Sequence, residues 1–242
     1  MSAPLLEVRA LSKRFGGFSA LSEVSLSVRA GERLGIIGPN GSGKTTLINC
    51  IAGSLRGDGG GIVFEGADLT PLSPHRRCRL GIARTFQVPR PFAGMTVEQN
   101  VAVPLHFVAR HRFLSVADVR REAGGILERT GLRGKADALA GSLTQIELRK
   151  LELARAIAIR PRLLLLDEVM AGLSAVEVDE VLEILATLQE EGVTVIMIEH
   201  IMRAIMRFSN RVVCLDAGRL VADAPPAAIV HDAEVQRIYL GV

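Results

Sequence analysis

Gly38-Pro39-Asn40-Gly41-Ser42-Gly43-Lys44-Thr45 is the stretch that most narrows what this chain can fold into. It fits the spacing G-x-x-x-x-G-K-[ST], and its surroundings matter as much as its letters. The apolar run Arg33–Ile37 before it reads as a strand, and residues 44–51 after it as a helix with Gly53 as a C-cap. A glycine loop between a strand and a helix points to a sheet covered by helices. The glycines let the backbone turn tightly, so that its N–H groups converge on phosphate oxygens. The helix N-terminus adds partial positive charge. Lys44 is expected to neutralise the β- and γ-phosphates, and the Thr45 hydroxyl to ligate Mg2+. Gly38, Pro39, Asn40, Gly41, Ser42, Gly43, Lys44, Thr45 and Thr46 are therefore the expected nucleotide contacts.

Leu163-Leu164-Leu165-Leu166-Asp167-Glu168 is the second anchor. Its apolar run suits a parallel strand buried on both faces. The carboxylates then emerge at the C-terminal edge, where open α/β sheets bind ligands. Asp167 is expected to hold Mg2+ through water. Glu168 is expected to act as general base or to orient the attacking water. Residues 193–198 form another buried strand, ending in Glu199-His200, so His200 is expected at the same edge against a γ-phosphate.

The remaining pattern is α/β at both ends and helical between. Residues 5–10 and 24–28 alternate as strands, and Gly57 to Gly61 reads as a flexible turn before a strand over 62–65. From about 89 to 160 the chain turns helical, most clearly at 116–130 and 147–159. Ser174 with Glu177 spells a capping box before the apolar stripe Val178, Val181, Leu182, Leu185 and Leu188, and Gly192 ends that helix. Residues 211–215 and 219–222 read as a terminal hairpin.

A length of 242 residues suits one α/β unit with a smaller inserted lobe. Hydrophobic residues make up 48% and aromatics only 4%, so the core is built from Leu, Ile, Val and Ala. The net charge of +3 and pI near 9.0, without a basic stripe, point away from a nucleic-acid partner. Arg76, Arg77 and Arg79 form the one tight basic group and read as a solvated loop. Cys50, Cys78 and Cys214 lie far apart, as free thiols in a reducing compartment. The first residues lack a secretory signal pattern. Mean hydropathy is high at +0.30, yet no apolar run approaches the ~20 residues that span a bilayer, so a membrane role must come through a partner.

These pieces, in this order, resemble the nucleotide-binding subunits of ATP-binding-cassette (ABC) transporters over essentially the whole chain. The resemblance implies an α/β P-loop NTPase with a RecA-like core, a small antiparallel β region and an inserted helical subdomain. The single cassette would have its core in residues 1–86 and 161–242 and its helical subdomain at about 87–160. Phe15 in Lys13-Arg14-Phe15-Gly16-Gly17 matches the aromatic that stacks on adenine. Gln87 in Arg84-Thr85-Phe86-Gln87 matches the glutamine that touches Mg2+ and links core to lobe. Those two stretches, with Met95-Thr96-Val97-Glu98-Gln99-Asn100, Ala171-Gly172-Leu173, Ile198-Glu199-His200 and Tyr239-Leu240-Gly241, are most similar to the ATPases of branched-chain amino-acid importers. That likeness implies ATP and Mg2+ as cofactors. It implies transmembrane permease subunits and a second ATPase subunit, identical or not, as partners. It implies a peripheral position on the cytoplasmic face of the inner membrane, and solutes such as hydrophobic amino acids, amides or urea. Lipopolysaccharide-exporter ATPases share several of these features. A soluble ABC ATPase and a non-hydrolysing regulatory cassette are the other readings.

The sequence departs from the family at the signature motif, usually Leu-Ser-Gly-Gly-Gln, which faces the partner subunit's ATP. Here the aligned residues are Leu143-Thr144-Gln145-Ile146-Glu147. Thr144 keeps a hydroxyl at the N-cap, and Glu147 completes a capping box. Gln145 and Ile146 replace the glycines, and Glu147 brings a negative charge in place of glutamine. The expectation is an asymmetric pair, in which the nucleotide site using this signature, with Thr144 as its contact, is the weaker. Val169 in place of proline and Ser174 near the usual Asp are further departures.

Overall fold

The computed structural model describes residues 3–108 and 115–240; the expected motif residue Gly241 and the first two residues lie outside them. Leu6–Phe15 (β1) and Phe18–Val28 (β2) form one long antiparallel hairpin. The sequence pattern marked only its far ends. The reason is a series of register shifts along β1, with Ala10 at φ 45° and Glu23 at φ 53°. Bulges of this kind break the period-two alternation that makes a strand visible.

After Arg33–Ile37 (β3), the chain forms Gly59–Phe64 (β4) and Ala67–Asp68 (β5), giving a four-stranded antiparallel sheet in the order β2-β1-β4-β5. The flexible turn expected at 57–61 is thus corrected, because Gly59, Gly60 and Gly61 belong to β4. Gly60 sits at φ 76° and a Cβ there would lie 2.3 Å from the Arg9 and Ala10 carbonyl oxygens, so only glycine lets β4 cross the bulge in β1.

The second sheet uses β3 with Ile82–Arg84 (β6), Leu163–Asp167 (β7), Thr194–Ile198 (β8), Arg211–Asp216 (β9) and Arg219–Ala224 (β10). Its order is β10-β9-β3-β8-β7-β6, parallel except for the β9–β10 hairpin. Ala217 (φ 43°) and Gly218 (φ 77°) form the tight turn of that hairpin, with the positive φ pair that matches strand twist.

The helices are Lys44–Ala52 (α1), Pro74–Arg79 (α2), Val97–Val108 (α3), Val116–Arg129 (α4), Gln145–Ala158 (α5), Ala175–Glu190 (α6), Met202–Phe208 (α7), Pro226–Ile229 (α8) and Ala233–Leu240 (α9). Leu163 and Leu165 pack toward the antiparallel sheet and α1. Leu164 and Leu166 pack the other way, against α6 and α7. Both faces of β7 are therefore buried, as its unbroken apolar run requires. A third cluster joins Val101 and Leu105 of α3, Val119 and Leu127 of α4, and Leu151, Ala154 and Ala158 of α5. The opposite face of α5, through Leu153, Ala156 and Ile157, belongs to the parallel-sheet cluster.

The basic group at 76–79 is helical rather than a loop, and Arg77 corrects its solvated reading. Arg77 is buried and donates to the carbonyls of Cys50 (2.6 Å), Ile51 (2.8 Å), Leu69 (2.7 Å) and Leu72 (3.0 Å). The last carbonyls of α1 have no partner within the helix, and this guanidinium supplies one. Cys50 and Cys214 are buried free thiols, and Cys78 is a half-buried one. Among the described residues no helix is long and apolar enough to cross a membrane.

Candidate nucleotide site

Strands β3, β8 and β7 are adjacent and parallel, and their registers pair Ile36 with Ile198 and Ile198 with Asp167. The glycine loop, the Asp167-Glu168 pair and Glu199-His200 therefore all leave the sheet at one edge. This is the edge at which parallel sheets present ligands.

The loop is shaped by what cannot fit in it. A Cβ on Gly38 would lie 2.1 Å from the Leu215 oxygen, and one on Gly43 would lie 2.5 Å from the Ala20 oxygen. Gly38, Gly41 and Gly43 all have positive φ. The result is a concavity of about 220 Å³, lined by residues 40–46 with Phe15, Phe18, Ala20 and Glu168. Lys44 Nζ closes it by donating to the carbonyls of Gly38 (2.8 Å) and Pro39 (2.9 Å). Burial lowers the Lys44 pKa from its ordinary value, against the opposing pull of Glu168, Cys214 and Asp167. Ser42 Oγ is buried there without a protein partner, a group that an incoming phosphate oxygen would satisfy.

Across the cradle, Thr45 Oγ1 lies 3.5 Å from Asp167 Oδ1. Burial pushes the Asp167 pKa up, and Arg84, 3.0 Å away at Oδ2, opposes that. Glu168 has a left-handed backbone, φ 51°, which is costly for a residue with a Cβ and concentrates at functional sites. Its carboxylate accepts from Gln87 Nε2 at 2.6 Å and lies 2.9 Å from His200 Nε2. Gln87, Glu168 and His200 are far apart in sequence and in contact here. Hydroxyl, carboxylate and amide oxygens on Thr45, Asp167 and Gln87 are the hard donors that suit Mg2+. Burial raises the Glu199 pKa to about 7, and its carboxylate accepts from the Met170 N–H at 2.8 Å. Glu199 thus ties the exit of β7 to the end of β8.

Phe15 sits at the tip of the β1–β2 hairpin, 47% exposed, with Phe18 opposite it at 60%. Phe18 was missed in the sequence, although Phe-Gly-Gly-Phe is a two-residue hairpin signal that brings both rings to one tip. Arg84 was missed as well, because its pairing to Asp167 and to Asn49 of α1 arises only from tertiary structure.

Thr144 lies away from this cradle, at the N-terminus of α5. Its Oγ1 accepts from the Glu147 N–H (3.4 Å), and Glu147 accepts from the Thr144 N–H (2.9 Å). Lys135 lies 3.3 Å from the same carboxylate. Gln145 Nε2 donates to the Ala171 carbonyl at 3.3 Å, and Ile146 packs against the parallel-sheet core. The substituted signature side chains are engaged within their own subunit. Val169 is likewise buried in that core, and Ser174 caps α6 with Glu177.

A glycine cradle opening a helix, with acidic and histidine-bearing strand ends beside it on one parallel sheet, defines a P-loop ATPase. The chain belongs to the ABC transporter family, whose pattern it matches over residues 21–171. It is 38% identical to BraF of Pseudomonas aeruginosa, a high-affinity branched-chain amino acid transport ATP-binding protein, over 100% of this chain and 99% of that one. It is 35% identical to LivG of Archaeoglobus fulgidus, a probable branched-chain amino acid transport ATP-binding protein, over 98% of this chain and 95% of that one. Among solved structures, MJ1267, an ATP-binding cassette of an ABC transporter in its ADP conformation, matches with a TM-score of 0.89. The identity is 31%, and the match covers 100% of both chains.

Proposed function

We propose that this chain is the ATP-hydrolysing subunit of an ABC importer for branched-chain or related hydrophobic amino acids. The observation that carries the catalytic part is Glu168, held between Gln87 and His200 at the mouth of the glycine cradle. The relatives BraF and LivG support the solute class.

In this reading Phe15 stacks on the adenine, while the loop from Gly38 to Thr46 holds the phosphates through its N–H groups. Lys44 exchanges its loop carbonyls for β- and γ-phosphate oxygens. Thr45, Asp167 and the Gln87 amide oxygen would hold Mg2+, which would supply charge neutralisation on the phosphates. Glu168 accepts a hydrogen bond from the attacking water and takes its proton as the oxygen bonds to the γ-phosphorus, while the bond from that phosphorus to the β–γ bridging oxygen breaks and ADP leaves. His200 orients that carboxylate and meets the transferred phosphoryl group. Residues 87–160 serve as the helical lobe, with Thr144 presented to the nucleotide of a second ATPase subunit.

A groove of about 410 Å³ runs between the core and α3, lined by Phe86, Arg90, Val103, Phe107 and Ile159 among others. Phe86 and Val103 in its lining are exposed large apolar side chains, as are Val88, Phe92 and Met95 in the segment that follows Phe86 in the chain. It suits a helix from a transmembrane permease subunit, which would hold this chain on the cytoplasmic face of the membrane.

Steady-state phosphate release with Mg·ATP, with and without Glu168→Gln, tests the catalytic part. Turnover that persists in Glu168→Gln would overturn it. Uptake of labelled leucine into vesicles carrying the chain with its permease subunits tests the solute class. Uptake of an amide or urea in place of leucine would reassign it.

A further inference from the structure

One side chain belongs both to the nucleotide site and to the apolar groove. Arg84 is the last residue of β6. Its Nη2 lies 3.0 Å from Asp167 Oδ2, and its Nη1 donates to Asn49 Oδ1 on α1. The pair is largely out of water, with side chains 13% and 3% exposed. Its guanidinium lies 5.1 Å from the centroid of the Phe86 ring, and Arg90 approaches the same ring at 5.1 Å. Arg84, Phe86 and Arg90 all line the groove.

The surroundings are incompletely bonded. Arg84 Nε is buried without a protein partner, as are Arg149 Nε and Arg155 Nε on the face of α5 that holds residues 86–90. That face grips the segment through Glu152 to the Phe86 N–H (2.5 Å), Arg149 to the Phe86 carbonyl (3.3 Å) and Arg155 to the Arg90 carbonyl (2.6 Å).

Asp167 is also the carboxylate assigned above to Mg2+. A guanidinium and a divalent cation repel each other and cannot both sit against one buried carboxylate without cost. We propose that Arg84 is the placeholder cation of the metal site: it occupies Asp167 until Mg2+ arrives with the nucleotide, and its contact with Phe86 ties that exchange to what sits in the groove. Arg84 acts here as a positioning residue. A permease helix pressing on Phe86 draws the guanidinium outward and lowers the Mg2+ concentration needed to complete the site. The inference rests on the assignment of Asp167 to Mg2+.

The test is a Mg2+ titration of the binding of a fluorescent ATP analogue to the purified chain, followed by anisotropy, with the EDTA value as baseline. With each titration normalised to its own EDTA baseline and saturating value, Arg84→Gln is expected to lower the half-saturating Mg2+ by about five- to tenfold, because the competing charge is gone. Arg84→Lys, which restores a cation, should return the midpoint toward wild type, a rescue that a purely structural role would not give. Phe86→Ala leaves the ion pair in place and should lower the midpoint by about twofold, as expected from loss of a single ring contact with Arg84. An unchanged or raised midpoint in Arg84→Gln overturns the placeholder role. Should that variant not fold, an unchanged midpoint in Phe86→Ala overturns the proposal by itself. Asp167→Asn separates the two assignments. If it leaves the wild-type Mg2+ dependence intact, the metal assignment falls and the placeholder role with it. If it abolishes the dependence while Arg84→Gln changes nothing, only the placeholder role falls.

Discussion

Helices α1 and α5 each begin at an end that the proposed function assigns to a phosphate, and they begin differently. The N-cap of α1 is Gly43, in a left-handed conformation with no side-chain cap. The N-cap of α5 is Thr144, extended, with a complete capping box to Glu147 and Lys135 beside it. Against a hydroxyl cap, glycine at an N-cap costs only about 0.3 kcal/mol, so α1 gives up little stability by leaving its end without the side-chain cap that α5 has. The first helix leaves its N–H groups to a ligand and the second satisfies part of its own. In this chain the glycine-capped end of α1 is left open, while the end of α5 is closed by the same kind of box that caps α4 and α6.

The harshest way to break this contrast is Gly43→Ala. Its φ of 104° and the Ala20 oxygen 2.5 Å from the new Cβ leave no room for a methyl group. Loss of the converging N–H groups should weaken ATP-analogue binding by at least about 100-fold, measured by anisotropy. Normal binding would mean that the open end of α1 is not what holds phosphate. The reverse experiment opens α5. Gln145→Gly, Ile146→Gly and Glu147→Gln together remove the tie to Ala171 and the negative charge. Phosphate release by the chain alone should rise by about tenfold if a second copy can then close on it. An unchanged rate would show that the sealed end does not limit turnover.

Two smaller effects sharpen the contrast. Thr144→Ala should lower stability by about 1 kcal/mol in urea unfolding, with ATP-analogue affinity at the α1 cradle unchanged. Glu147 gives the seal a pH dependence. The Thr144 N–H bond, with Lys135, holds its pKa below the usual carboxylate value. Its contribution is therefore present above that ordinary value and fades as pH falls through the depressed one. Urea midpoints taken downward from pH 6 should fall less steeply in Glu147→Gln than in wild type; parallel curves would remove Glu147 from the seal.

Much of this was legible because it is local. The glycine loop, the run into Asp167 and the Ser174 box each reside in one short stretch, and each stretch has one sensible conformation. The β1–β2 hairpin was half hidden because its bulges erase alternation. Arg77 was misread because three arginines within four residues look solvated, and only the fold brings the end of α1 over one of them. At the site, Asp167, Glu168 and His200 could be placed from the ends of apolar runs. The contacts from Arg84 to Asp167 and from Gln87 to Glu168 join separate segments, and no local pattern encodes them.

Helix α5 has no free long side: Leu151 and Ala154 pack with α3 and α4, while Leu153 and Ile157 pack with the parallel sheet. This bears on chimeras. A graft of residues 87–160 from a relative would import a new inner face for the sheet along with the new lobe. Junctions drawn at the lobe's ends in the chain would cut through one core. A graft that also exchanges the buried residues that cluster with Leu153 and Ile157 would keep that core intact, so the unit suited to recombination is larger than residues 87–160.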